Sequence, residues 1–165
     1  WQWDQIEVHV HWGGPPGIKN SASCVVEIKG PAGSIWILGD APREEQWRLA
    51  RAQRQVAPTD IVVAAHHGAR DGFSSDIGAR QNPNHVVFSQ AKLGRWQHPH
   101  PEVEAGWQAL GANTWRLGSV GTLYIDLNSK ELTPHPLHSA SYWTRVSRKN
   151  PAANYVYYAV EKDPA

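Results

Sequence analysis

The sequence predicts an α/β layered domain, and three observations predict it. First, a strand-like run, a polar residue or loop, and then a helix pattern recur along the chain: SIWILGD before PREEQWRL, IVVAA before HHGARDGFSSD, HVVFSQ before PEVEAGWQALG. Second, IVVAA (61–65) shows no polar alternation, so it reads as a strand buried on both faces, as in a parallel sheet. Third, both long helix patterns open on proline, Pro42 and Pro101, at the position where a missing N–H costs nothing. At 165 residues the chain can build one domain with a real core.

Each element follows from local signals. IEVHVHW (6–12) alternates and stops at GGPPG. SCVVEIKG (23–30) and SIWILGD (34–40) flank a Pro/Gly turn and read as a hairpin. The helix after Pro42 carries Glu44 and Glu45 at the positive end of its dipole and runs on until Pro58. IVVAA is the fourth strand. The polar stretch behind it holds a short helix from Ser75. HVVFSQ (85–90) is the fifth strand, and a second polar loop, AKLGRWQHPH, follows. The helix 101–111 places Val103, Trp107 and Leu110 on one face and ends at Gly111. NTWRL (113–117) and TLYIDL (122–127) complete the strands. The division is a domain over 1–128 and a Pro-, His- and Tyr-rich tail over 129–165 that lies along the surface.

Composition narrows the function classes. A formal net charge of +1 removes any global electrostatic case for nucleic acid, so an anion must bind at a local site. No apolar run approaches the roughly 20 residues of a membrane span, and no signal peptide is visible. The chain contains no Met, so it reads as a piece of something longer. Cys24, alone in SCVVEI, is expected to be a small buried hydrophobe. P-loop, GxGxxG and nucleophile-elbow patterns are absent from the sequence.

In α/β folds, ligands gather beyond the carboxyl ends of the strands, and Asp40, His66 and His67 sit at such ends. Asp40 is either a helix cap or a carboxylate that bridges metal ions. Neutral imidazole is the commonest metal ligand, and two imidazoles ending a buried strand are unusual. On an extended backbone they point to opposite faces, so only one would hold a given ion. Gly68 allows the close approach of backbone to an ion. His98 and His100, fixed by Pro99 between them, are a turn with a helix cap or proton donors at the same sheet edge. His9 and His11 share a face but have no acid or third His nearby in sequence, which argues against a metal role. His85, His135 and His138 read as packing or surface residues.

The order of NSASCVVEI, WILGDAPREEQWRL, DIVVAAHHGARDGFSSD, NPNHVVFSQ, WQHPHPEVEAGWQALG and WRLGSVGTLYID resembles the C-terminal part of the ComEC competence proteins. That part belongs to the metallo-β-lactamase superfamily. The resemblance covers roughly residues 1 to 128 and implies an αββα sandwich, of which this chain is the C-terminal half. It implies a centre of two divalent metal ions, manganese or zinc, with Asp40 and His67 among the ligands. It leaves His66 facing the reacting group, with His98 and His100 as further catalytic residues and Ser74, Ser75 and Arg95 as substrate contacts. The superfamily's upstream HxHxDH cluster is missing, since Gly13 and Gly14 follow HVHW where the acid and histidine would stand. HHGA, with Ala69, replaces the usual HHGS, and Arg95 and Trp96 stand where Asn and Tyr are usual.

By this resemblance the parent protein sits in the bacterial cytoplasmic membrane, its partner is DNA, and it degrades one strand during uptake. The isolated chain is expected to hold metal weakly or not at all, and to dimerise through a sheet face left bare. The rival expectation is a non-catalytic module that grips DNA or a partner through Arg43, Arg48, Arg51 and Arg54. A hydrolase of another phosphodiester, such as a choline-phosphate ester, is a third.

Overall fold

The computed structural model describes residues 1–12, 19–52, 57–91, 96–128 and 132–136. Arg54, Arg95, Gly13, Gly14, His138 and most of the tail lie outside them.

Seven strands form one sheet in sequential order: β1 (Gln2–Trp3), β2 (Ile6–Trp12), β3 (Val25–Gly30), β4 (Gly33–Ile37), β5 (Ile61–Val63), β6 (His85–Phe88) and β7 (Asn113–Arg116). β1 to β4 form an antiparallel meander, and β4 to β7 run parallel. The parallel strands are joined through α1 (Arg43–Ala52), α2 (Ser75–Gln81) and α3 (Pro101–Ala109). The protein is therefore mixed α/β, as its sequence pattern predicts.

Register assigns every strand residue to a face. Val25, Trp36, Val62 and Val86 share one face, where they pack with Leu49 and Ala50 of α1, Ile77 of α2, and Val103 and Trp107 of α3. All three helices lie there because right-handed crossovers between sequential parallel strands return to the same side. On the opposite face Ile35, Ile61 and Val87 pack beneath Leu117, Leu123, Ile125, Leu127 and Leu132. These come from α4 (Leu117–Val120) and the two-residue strand β8 (Leu123–Tyr124), paired with β9 (His135–Pro136), together with the flanking chain.

The meander inverts this pattern. Past Val25, the helix-side positions of β2 and β3 are Glu7, His9, His11, Glu27 and Lys29. Ile6, Val8, Val10, Val26 and Ile28 point to the other side, and the register adds Trp3 to them. Val10 and Trp3 are 66% and 65% exposed. Over β4 to β7 the face expected to be bare is covered by the chain's own residues 117–127 and Leu132, and among the described residues it is less covered over β1 to β3.

Several local readings are corrected. Cys24 is exposed, because Val25, the first residue of β3, takes the inward position. The third strand ends at Ile37, and Asp40 lies in a turn three residues before α1, too early to cap it. Residues 122–127 do not extend the main sheet, since β8 pairs only with β9. His85 is not partnerless: its Nδ1 accepts from Trp115 Nε1 at 3.2 Å. His11 has its acid after all, but from the next strand: its Nε2 lies 2.8 Å from buried Glu27, which Lys29 also pairs at 3.2 Å. Burial raises the Glu27 pKa, but hydrogen bonds from His11 and Lys29 outweigh it and hold the carboxyl below its ordinary value. Among the described residues no helix is long and apolar enough to cross a membrane.

Candidate functional site

Three loops leave the carboxyl ends of β4, β5 and β6, and backbone hydrogen bonds stitch them together. His66 N donates to Gly39 O at 2.9 Å, Arg43 N to Asp71 O at 2.7 Å, and His100 N to Gly68 O at 2.7 Å. The GD, HHG and HPH segments thereby become one rim. Gly68 is the hinge of it, with φ +86. A Cβ there would meet Pro99 Cβ at 2.6 Å and Phe88 Cδ1 at 2.7 Å, so only glycine lets the HPH loop close down.

The two histidines are not on extended backbone. A 3-10 turn, Ala65–Gly68, follows β5, and His66 (φ 50) and His67 (φ 57) are both left-handed within it. Opposite-face alternation does not apply to such a turn. Instead each ring is aimed by its own partner. His67 Nδ1 lies 2.8 Å from Ser89 O and 3.1 Å from Ser89 Oγ. A carbonyl oxygen only accepts, so Nδ1 carries the proton and Nε2 of the neutral ring is a bare lone pair. That lone pair faces Asp40 Oδ1 at 3.9 Å. His66 Nδ1 lies 3.1 Å from Asp71 Oδ1, and its Nε2 lies 3.3 Å from Asn20 Nδ2.

His98 joins the cluster, its ring centroid 6.3 Å from that of His66. Burial pushes the His98 pKa down, and the neighbouring rings of His66 and His67 push the same way against Asp71. Pro99 follows His98 through a cis peptide bond. His100 accepts from the Arg70 guanidinium at Nε2, 2.8 Å away, so Nδ1 carries the ring proton, 3.9 Å from Glu102 Oε2, and the link to α3 is the His100 carbonyl, which accepts from Val103 N at 2.9 Å. A guanidinium only donates, so His100 Nε2 holds no proton to give.

Ser74 and Ser75 fall elsewhere. They line a groove of about 440 Å³ with Arg43, Glu44, Trp47, Phe73 and Asp76, at the start of α1 and α2. The structure therefore gathers Asp40, His66, His67, His98 and His100 on one rim, and sets the two serines on the helix side. Among the described residues no three His, Cys, Asp or Glu side chains form a complete metal cage. Asp40 and His67 nevertheless fit a shared cation. With the ring neutral, two acceptors face each other, closer than twice a metal–ligand bond of about 2.1 Å.

Asn20, Ser89, Asp71 and Arg70 are partners that the sequence reading missed. Arg70 and Asp71, both inside HHGARD, lie close to His66 and His67 in the chain. The other signal is the polar Ser89 at the end of β6, the same kind of strand-end position that singled out Asp40.

This arrangement defines a mixed α/β protein with a histidine-rich site at the carboxyl edge of its parallel strands. No family model matches the chain. It is similar to Competence protein ComA of Neisseria gonorrhoeae, 23% identical over 131 residues, which is 77% of this chain and 19% of that protein. The chain thus spans about a fifth of that relative's length, and the similarity supports a relation to the ComEC competence proteins.

Proposed function

We propose that this chain contributes part of a binuclear metal-dependent phosphodiesterase centre to a competence DNA-uptake protein of the bacterial cytoplasmic membrane, built on a metallo-β-lactamase-like sandwich. The observation that carries the reading is the Asp40–His67 pair. A carboxylate oxygen and an imidazole nitrogen, 3.9 Å apart and fixed by independent loops, can share a cation between them. The inverted pattern of β1 to β3 supports a sandwich, because their apolar residues point away from the helices, toward a second layer.

Two divalent ions, manganese or zinc, supply water activation and charge neutralisation at a phosphodiester. Asp40 and His67 would hold them together with ligands from beyond the described residues. The chain's own residues do the rest. His98 is the better placed to protonate the leaving oxygen, since burial and its neighbours make its imidazolium a stronger acid than free histidine, whereas Arg70 occupies His100 Nε2. His100 instead ties the HPH loop to α3. Arg95, beside this loop in sequence, remains a candidate substrate contact. Ser74 and Ser75 would meet DNA only if it also crossed the α1–α2 groove.

A purely DNA-gripping module has less to stand on. Arg43 is spent on the carbonyls of Phe73 and Arg70, Arg48 on Glu45, and Arg51 lies over the Trp47 ring. Of these three only Arg48 is paired with a carboxylate, so the exposed positive charge left on α1 is that of Arg43 and Arg51.

The test is manganese-dependent cleavage of linear DNA by the full-length protein that carries this chain. Asp40→Ala and His67→Ala are each expected to lower the rate at least a hundredfold. Cleavage that survives both substitutions, or that needs no divalent ion, sinks the reading.

A further inference from the structure

We infer that Asn20 and Asp71 are positioning residues that lock the His66 ring in one tautomer, with Nε2 unprotonated and turned toward Asn20. For the neutral ring, the chemistry of the two partners leaves one consistent assignment. A carboxylate accepts only, so the 3.1 Å contact of His66 Nδ1 with Asp71 Oδ1 places the ring proton on Nδ1. Nε2 of the neutral ring is then an acceptor, and the Asn20 amide, 3.3 Å away through Nδ2, supplies the donor. One N–H of that amide is used on the ring.

The backbone gives an independent sign that this placement is enforced. His66 and His67 are consecutive non-glycine residues in left-handed conformation, which side chains rarely adopt. The turn holds through His66 N to Gly39 O and Ala69 N to His66 O. Strain of this kind persists only where the surroundings over-determine it. Asn20 comes from the 3-10 turn Lys19–Ala22 ahead of β3, and Asp71 from the loop before α2. Elements 46 and 5 residues away in the chain thus hold one imidazole from its two ends. The same logic runs at His67, where Ser89 fixes the tautomer, so the two rings are set by separate anchors and are separately breakable.

The kinetic part of this role rests on the hydrolase reading; the tautomer does not. Long-range proton–nitrogen NMR on the metal-free 165-residue chain reads each imidazole directly. His66 is expected as the Nδ1–H form. Asp71→Leu removes the acceptor and should bring the Nε2–H form up to a substantial fraction, while His67 keeps its own tautomer. Asp71→Asn, whose amide oxygen still accepts, should restore the native signal. Asn20→Ala should loosen the ring without moving the proton to Nε2. In the full-length protein, Asp71→Leu and Asn20→Ala are expected to lower kcat about tenfold, with KM unchanged.

A wild-type His66 in the Nε2–H form, or one whose tautomer ignores Asp71→Leu, overturns the inference. Wild-type protein that cleaves no DNA, yet shows the expected tautomers, overturns the hydrolase reading alone. Cleavage with the wrong tautomer overturns only the positioning roles.

Discussion

Left-handed backbone at two adjacent histidines costs on the order of 1–2 kcal/mol per residue. The rim offsets that cost through hydrogen bonds that span three loops, and Gly68 is where those loops come closest. Gly68→Ala combines an unfavourable φ with a clash against Pro99 and Phe88, neither of which is a flexible side-chain tip. It is expected to destabilise the fold by about 2–4 kcal/mol, measured as a lower urea midpoint at unchanged m-value. A loss under about 0.5 kcal/mol would mean that the HPH loop does not rest on Gly68. At this scale the sequence shows the chemistry-bearing residues, because paired imidazoles and a strand-end carboxylate are rare in themselves. It does not show their partners. Asn20 sits in a run of small polar residues, KNSAS, that reads as an ordinary turn, and only the folded chain sets it against His66. His11 and Glu27 illustrate the same limit: their contact depends on the pairing of β2 with β3, which no local pattern states.

Helix α3 is held to β7 by one carboxylate. Glu104 accepts from Arg116 through both oxygens and from Thr114 Oγ1 at 3.1 Å, and Gln108 adds a bond to the same threonine. The Arg116 hydrogen bond is the main reason that the Glu104 pKa lies below its ordinary value, against a smaller opposing effect of burial. The sign of the pH dependence follows. A carboxylate with a depressed folded pKa contributes stability that is fully present above the ordinary value of 4.5. That contribution is lost as pH falls through 4.5 toward the folded value. Glu104→Gln should therefore cost about 1–2 kcal/mol at neutral pH and flatten this part of the acid limb. Equal slopes for both proteins between pH 5 and 3 in thermal melts would remove Glu104 from the acid response. Elements of this length were legible in the sequence: the strand–loop–helix alternation places β4 to β7 and all three connecting helices within a few residues. The two-residue strands β1 and β9 and the single turn α4 were not, because pieces so short carry no periodicity and exist only through their tertiary neighbours.

At the scale of the whole molecule, the seven-stranded sheet has two differently finished halves. Over β4 to β7 both faces are covered, by helices on one side and by residues 117–127 and Leu132 on the other. Over β1 to β3 the helix side is polar apart from Val25, and among the described residues the opposite side carries a strip of half-buried Ile6, Val8, Val26 and Ile28 with exposed Trp3 and Val10. Contiguous apolar surface of this kind marks an interaction face, and β1, only two residues long, leaves the β2 edge poorly shielded. In the parent protein the proposed occupant is the other layer of the sandwich; in the isolated chain it is a second copy. Sedimentation velocity over a concentration series should accordingly show self-association. Val10→Lys puts a charge in the middle of the strip, where burial without a counter-ion is costly, and should weaken that association at least tenfold. Val10 is already 66% exposed in the monomer, so the substitution should leave the unfolding midpoint nearly unchanged. The two readouts separate the causes. Association that survives Val10→Lys places the contact elsewhere on the molecule. A fall in stability with no change in association would mean that Val10 packs inside its own chain and that β1 to β3 have no missing layer.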